Sequence, residues 1–238
     1  EMSRGLGDVY KRQNLDFFEC DLSLVANVKD LSDKIKQKYS KIDVLLNNAG
    51  GANKTKQITT EGLEKTFATN QMNYFVLSTE LLEIISESND GRIVNVASNA
   101  HIGAEVDYEN INSEKSFSAW TSYCVSKLMN IMFTYQLSSI QDKVSVNVLH
   151  PGFVDTNIAG NEGNFIKYIV KLGAKMFART VDSGADSSIY LSTSDEVQNV
   201  SGKYFFKCKE IKSSRASYNK EDWQKVWDLC NEYKIKLI

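Results

Sequence analysis

Proline is almost absent from this sequence. Pro151 stands alone among 238 residues, so the turn at His150-Pro151-Gly152 carries weight. Histidine is nearly as scarce, with two in the chain. The four cysteines (Cys20, Cys124, Cys208 and Cys230) are scattered without a C-x-x-C pair. So thin a ligand set argues against zinc, and no metal is expected. Separated thiols suit a reducing compartment, and the expectation is a cytoplasmic protein. No apolar run approaches ~18 residues, so no membrane span is readable, although an anchor upstream of the chain is compatible with it. Basic excess is lacking too: 28 Lys+Arg meet 30 Asp+Glu. A nucleic-acid binder would show such an excess, and that class is set aside.

What is present reads as one globular domain. Hydrophobic residues make up 42% of the chain, ample for a core at this length. Residues 1–13, EMSRGLGDVYKRQ, have no apolar period and do not begin with methionine. They are read as an artefact or disordered tail. Residues 14–238 are read as a single domain, without internal repeat, low-complexity run or linker.

The elements alternate. Leu15 to Cys20 predicts a strand ending at Asp21, and Ser23 a cap for a helix from Leu24 to Tyr39. Ile42 to Leu46 predicts a short buried strand running into Asn47-Asn48-Ala49-Gly50-Gly51. Strand, helix, strand with short links is a parallel βαβ unit. A long helix is expected from Thr60, with Thr60 and Glu61 as start signals, to Glu87. Asn89-Asp90-Gly91 is a turn, and Arg92 to Ala97 a second buried strand. Then come a helix from Phe117 to Ser139, a strand from Val144 to Leu149, and an insert over 153–182 with a basic, apolar helix from Phe165 to Phe177. Asp182–Thr193 reads as a helix, Gly202–Phe206 as a last strand, and Glu221–Lys236 as an amphipathic helix rich in Trp. The fold class is α/β: a Rossmann-like, doubly wound parallel sheet.

One pair of residues organises the chemistry. Tyr123 and Lys127, four apart in a helix, leave the same face. A free phenol ionises near ~10 and must fall by about 3 units, roughly 4 kcal/mol, to exchange protons near neutrality. One positive charge about 4 Å away at an effective dielectric near ~20 supplies about that much. The plain alternative is an ordinary Tyr and Lys on one helix face, because Y-x-x-x-K alone is common. The polar sets at successive strand ends argue against it: Asp21, Asn47 to Gly50, Ser98, and Pro151-Gly152 through Thr156. Ligands of open parallel sheets bind beyond those ends.

Together these motifs resemble the short-chain dehydrogenase/reductase family, retinol dehydrogenase-like branch. The pieces are Asp21-Leu22 after a strand, N-N-A-G at Asn47 to Gly50 and N-V-A-S at Asn95 to Ser98. Y-x-x-x-K at Tyr123 to Lys127 and P-G-x-x-x-T at Pro151 to Thr156 complete the set. The tail S-G-K-Y-F-F-K-C-K from Ser201 resembles the retinol-dehydrogenase branch in particular. The resemblance implies Tyr123 as acid/base, and Lys127 as the group that lowers its pKa and holds the nicotinamide ribose. It implies Ser98 as hydrogen-bond partner of the substrate oxygen, and Asn70 as the residue positioning a relay water. Asp21 and Leu22 would meet the adenine, and Asn48, Ala49 and Gly50 the ribose. Val154 and Thr156 would complete the cofactor site, Thr156 at the nicotinamide amide. It implies hydride transfer between NADP, favoured over NAD, and an alcohol or carbonyl on a small apolar substrate such as a retinoid, steroid, lipid or xenobiotic. A homo-oligomer is compatible with it.

Other residues read as structural. Cys124 and His150 are packing, and His101 is loop or cleft wall. Lys167, Lys171, Lys175 and Arg179 form a solvated face, with a membrane-surface or lid role as the other reading.

The chain departs from the family at its start. The family's T-G-x-x-x-G-x-G turn, which wraps the pyrophosphate at a helix N-terminus, is not found in it. The expectation is a chain lacking the first two strands, with the Ile42–Leu46 strand as an apolar edge and poor cofactor binding. Two rivals follow: an inactive dehydrogenase-like scaffold or incomplete fragment that binds a protein partner, and a sugar-nucleotide epimerase of the same broad fold. The first has no need of Asn70, Ser98, Tyr123 and Lys127 together. The second lacks its large C-terminal domain here.

Overall fold

The computed structural model of the chain describes residues 15–152 and 181–238. The tail, the helix expected from Phe165 to Phe177, and the candidate residues Val154 and Thr156 lie outside the described residues.

Short runs of β-branched and apolar residues make the strands. β1 (Val44–Asn47), β2 (Arg92–Val96), β3 (Ser145–Leu149) and β4 (Tyr204–Phe206) run parallel, in that order across the sheet. β5 (Lys209–Ile211) returns antiparallel beside β4. Asn47 lies level with Asn95, and Val96 with Leu149, so the carboxyl ends of β1, β2 and β3 form one rim.

Among the described residues, five longer helices cover both faces: α1 (Val25–Lys38), α2 (Asn73–Ser86), α3 (Ala119–Ile140), α4 (Val181–Thr193) and α5 (Lys220–Leu237). Alternation along β2 shares the core between them. Ile93 joins Val28, Phe75, Leu128, Phe133 and Val226 on the side of α1, α2, α3 and α5. Val94 and Val96 join Leu149, Leu191 and Phe205 on the side of α4. Helices on both faces of a mainly parallel sheet are the doubly wound α/β class that the sequence predicts. The Trp-rich helix α5 packs by its aromatic stripe. Trp227 lies edge-on to Phe75, with ring centroids 5.1 Å apart, and stacked on Phe133 at 6.1 Å. No helix among the described residues is long and apolar enough to cross a membrane.

Four local expectations are corrected. Leu15 to Cys20 is not a strand: it pairs with no other strand among the described residues, and Phe17 is 74% exposed. A strand needs a ladder, and the described sheet ends at β1, where Leu46 is 42% exposed. Asp16 of this segment instead bonds Lys38 and Tyr39 at the far end of α1. Ser23 does not cap α1, because its hydroxyl and N–H both go to Asp21 Oδ1. The cap comes from far along the chain: the Glu61 carboxylate accepts from Val25 N at 2.6 Å and Ala26 N at 2.9 Å. Glu61 therefore starts no helix of its own. The expected Thr60 helix begins at Lys65, where the Glu64 side chain caps Phe67 N. Finally, β5 went unread. Its hairpin turn, Lys207-Cys208, has φ of 51° and 60°, the primed geometry, with neither Gly nor Asn to announce it. Cys208 N donates to Ser187 Oγ on α4, which holds the turn down.

Candidate active site

The site is assembled where three elements meet. The first is the loop after β1. Asn48, Ala49 and Gly50 are exposed there, and Gly50 is the tight point. A Cβ at Gly50 would lie 2.9 Å from Asn70 Oδ1 and 3.3 Å from Lys127 Nζ, so only glycine lets the loop run so close.

The second element is a change of helical pitch. One α turn, Lys65–Phe67, widens into a π turn, Ala68–Met72, before α2 begins. Such turns occur often at functional sites. Asn70 sits within it, fully buried. Its side chain clasps the loop after β1: Oδ1 accepts from Gly51 N and Nδ2 donates to Gly51 O, both at 2.9 Å. Nδ2 also reaches Ser126 Oγ on α3. Asn70 therefore ties loop, helix and α3 together.

The third element is α3, capped by Ser118 Oγ on Thr121 N. One turn apart on it stand Tyr123, partly buried, and Lys127, 4% exposed. Lys127 Nζ donates to Val96 O at the end of β2 at 2.8 Å and to Asn130 Oδ1 at 3.4 Å. It lies 5.4 Å from the Tyr74 ring centre and 5.9 Å from that of Tyr123. Both hydrogen-bond acceptors are neutral, and burial brings the ammonium down to about 7. Ser98 follows β2. Its side chain stands near enough to the Tyr123 phenol to act on its ionisation, and its Oγ accepts from Ala100 N.

The electrostatics differ from the expectation built on spacing. Burial holds the Tyr123 phenol above its ordinary value; the nearby Ser98 side chain pulls the other way. Lys127 does not lower it here, because Nζ turns to the Val96 carbonyl and is itself pushed towards neutrality. The phenol is therefore a protonated group at pH 7.

The two histidines fall as read. His101 Nδ1–H donates to Ser98 O at 2.7 Å, and its Nε2 accepts from Ser214 N at 3.0 Å, so both nitrogens are committed and the ring is neutral. His150 stacks on Phe206, with centroids 4.2 Å apart, and burial takes it down to about 4. Cys124 is buried, and burial pushes its thiol up to about 11, as a packed side chain requires. Asp21 is exposed, with Oδ1 engaged by Ser23, and Leu22 packs partly against the core.

The geometry thus brings together Asn70, Ser98, Tyr123, Lys127 and Gly50. Residues 4–166 match the short chain dehydrogenase family. The chain belongs to that family, a family of oxidoreductases. It is 34% identical to human retinol dehydrogenase 14 over 98% of its own length and 69% of that protein's. To human polyprenol dehydrogenase it is 31% identical, over 90% of the chain and 67% of that protein. It therefore spans about two thirds of these relatives. Among solved structures, an NADPH-bound carbonyl reductase from chicken fatty liver shares the fold, with a TM-score of 0.60 and 21% identity over 87% of the chain and 81% of that structure.

Sequence reasoning missed the polar chain behind these side chains. Asn47 Nδ2 donates to Ser78 Oγ and Asn95 Oδ1, Asn95 Nδ2 to Thr134 Oγ1, and Thr134 Oγ1 to the Asn130 carbonyl. All five are buried. The available signal was asparagine at positions whose neighbours in sequence are core residues, as in Met129-Asn130-Ile131.

Proposed function

We propose that this chain interconverts an alcohol and a carbonyl on an apolar substrate, by hydride exchange with a nicotinamide nucleotide, NADP in preference to NAD. The observation that carries the reading is the pair Tyr123 and Lys127, one turn apart on α3 with the lysine buried 5.9 Å from the phenol ring centre, at the open end of the sheet where Ser98 acts on the phenol. Family membership and the retinol and polyprenol dehydrogenases among its relatives support the apolar substrate. The NADPH in the carbonyl reductase of like fold supports the cofactor.

The residues fit the nicotinamide-ribose end of such a cofactor. Gly50 keeps backbone close to Lys127 where any side chain would block the approach. Asn48, Ala49 and Gly50 would line the ribose, Lys127 would hold its hydroxyls, and Val154 and Thr156 would take the nicotinamide. Asp21 and Leu22 would meet the adenine. The N-terminus of α1, which follows them, is filled by Glu61 and offers no phosphate site. When bound, the nucleotide supplies or accepts the hydride.

The side chains do the rest. In reduction, Tyr123 gives its phenolic proton to the carbonyl oxygen as charge develops there. Burial keeps that proton on the phenol at neutral pH and makes it a weaker acid than one tuned near ~7. Ser98 donates to the same oxygen and stabilises that charge. Lys127, brought near neutrality by burial, carries the proton that restores Tyr123. Asn70 holds loop and helix in register around them.

The test is NADPH-dependent reduction of an apolar aldehyde such as retinal, with NADH alongside. Tyr123→Phe keeps the ring and removes the proton. A loss of at least about a hundredfold in kcat, with unchanged melting, is expected. Full activity in that variant would overturn the reading.

A further inference from the structure

The side chain of Asn130 sits between Lys127 and the π turn. It is fully buried, one helical step beyond the lysine. Its Nδ2 donates to the Asn70 backbone carbonyl and to Gln71 Oε1, both at 2.9 Å. A backbone carbonyl can only accept, so the nitrogen must face that way and Oδ1 must face Lys127 Nζ at 3.4 Å. Behind the side chain, the backbone carbonyl of Asn130 accepts from Thr134 Oγ1 at 2.7 Å, a bond of threonine to the helical carbonyl four residues back.

We propose that Asn130 is a positioning residue for Lys127: its amide bridges the ammonium to the Asn70 carbonyl and sets where Nζ stands and how readily it keeps its proton. The inference rests on the reading of Lys127 as part of the active site. A buried lysine has three N–H groups and needs acceptors for them. Among the described residues two acceptors are provided, Val96 O and Asn130 Oδ1. The groups around Nζ are otherwise weak or apolar. Tyr74 from α2 and Tyr123 from α3 present rings, Asn70 is neutral, and Gly50 has no side chain. With burial moving Nζ to about 7, the second acceptor bears directly on how much of the lysine is charged at neutral pH. Asn130 itself touches no reacting atom. It works through Lys127, and through the Asn70 that clasps the loop after β1.

Two substitutions bracket the idea. Asn130→Asp places a carboxylate where the amide oxygen was. Asn130→Leu keeps the volume and removes the acceptor. Thr134→Val is the control, because it cuts the same network on its sheet side without touching Lys127. The primary readout needs no cofactor: the titration midpoint of Lys127, followed by NMR in protein labelled with 13Cε-lysine and assigned by loss of the signal in Lys127→Met. Asn130→Asp is expected to raise the midpoint by about one pH unit or more. Asn130→Leu is expected to lower it, and Thr134→Val to leave it in place. The same ordering is expected in the pH profile of kcat/KM for carbonyl reduction. Melting curves identify any variant that fails to fold, and either Asn130 variant alone then suffices, since the two carry opposite signs. A midpoint unmoved in the folded Asn130 variants, or moved equally by Thr134→Val, overturns the proposal. If Lys127→Met keeps full activity while the Asn130 variants move the midpoint, the functional reading fails and the link between Asn130 and Lys127 stands.

Discussion

The Glu61 carboxylate caps a helix that begins 36 residues earlier, with one oxygen on Val25 N and the other on Ala26 N. It thereby fastens the loop after β1 to α1 and meets two N–H groups that no helical carbonyl can reach. Glu61→Ala is expected to lower stability by about 1–2 kcal/mol, with Glu61→Gln in between. Urea unfolding of the three proteins decides it, and an unchanged midpoint for Glu61→Ala would refute the cap's importance.

Gly50 and Gly51 make a matched pair. A Cβ on Gly50 meets Asn70 Oδ1 at 2.9 Å, while one on Gly51 meets nothing within 4 Å. Asn70 cannot yield, because both ends of its amide are bonded to Gly51. Gly50→Ala is therefore expected to cut kcat/KM at least about tenfold, roughly 1.4 kcal/mol of transition-state stabilisation. Gly51→Ala is expected to do less. Steady-state kinetics on both, with circular dichroism to confirm folding, tests the contrast; equal effects would contradict it.

Lys127 illustrates a conflict between stability and function. Its proton is held more weakly in the fold, at about 7, than in the unfolded chain, near 10.5. The unfolded state therefore binds more protons between those values, and the fold gains stability as pH rises through that window. At pH 7 the penalty is of order 4 kcal/mol. Lys127→Met is expected to be inactive yet more stable by roughly 2 kcal/mol, the remainder being lost with the Val96 hydrogen bond. The rise in stability that Lys127 gives the parent between about pH 7 and 10.5 should be missing from the variant. A variant less stable than the parent at every pH would contradict this account.

His150 acts in the same direction at lower pH. Burial among Tyr204 and Phe206 takes it from its ordinary 6.5 to about 4. Protons bind the unfolded chain first, so stability falls as pH drops from about 6.5 to 4. His150→Phe retains the stacking and removes the titration. Denaturant midpoints across that range should fall less steeply in the variant; parallel curves would exclude His150 as the cause.

The architecture was readable because it rests on periodicity. β2 and β3 are short apolar runs, and α3 and α5 begin and end within three residues of where pattern and caps place them. The failures are each non-local. Nothing between Leu15 and Cys20 says that a strand-like run will find no ladder. Glu61 looks like a helix start because its true partners lie 36 residues back. Lys207-Cys208 adopts left-handed backbone without a residue that favours it. In the candidate site, the family resemblance grouped Asn70, Ser98, Tyr123 and Lys127. It could not foresee that Lys127 would turn to Val96 O, nor that burial would raise the tyrosine instead of leaving it to the lysine. Asn130 escaped notice because a buried amide within an apolar stretch carries no motif of its own.

Helix α3 is buried without interruption from Ser126 to Leu137. A helix enclosed on every side has no face on which substitutions are cheap. Of the residues proposed for catalysis, Lys127 is thus set in the stretch of chain least free to vary. A scan of all substitutions should show α3 as a continuous band of intolerance, against the one-sided stripe of α5. Any change of substrate preference within this scaffold must then be written elsewhere, in the loops that α3 supports.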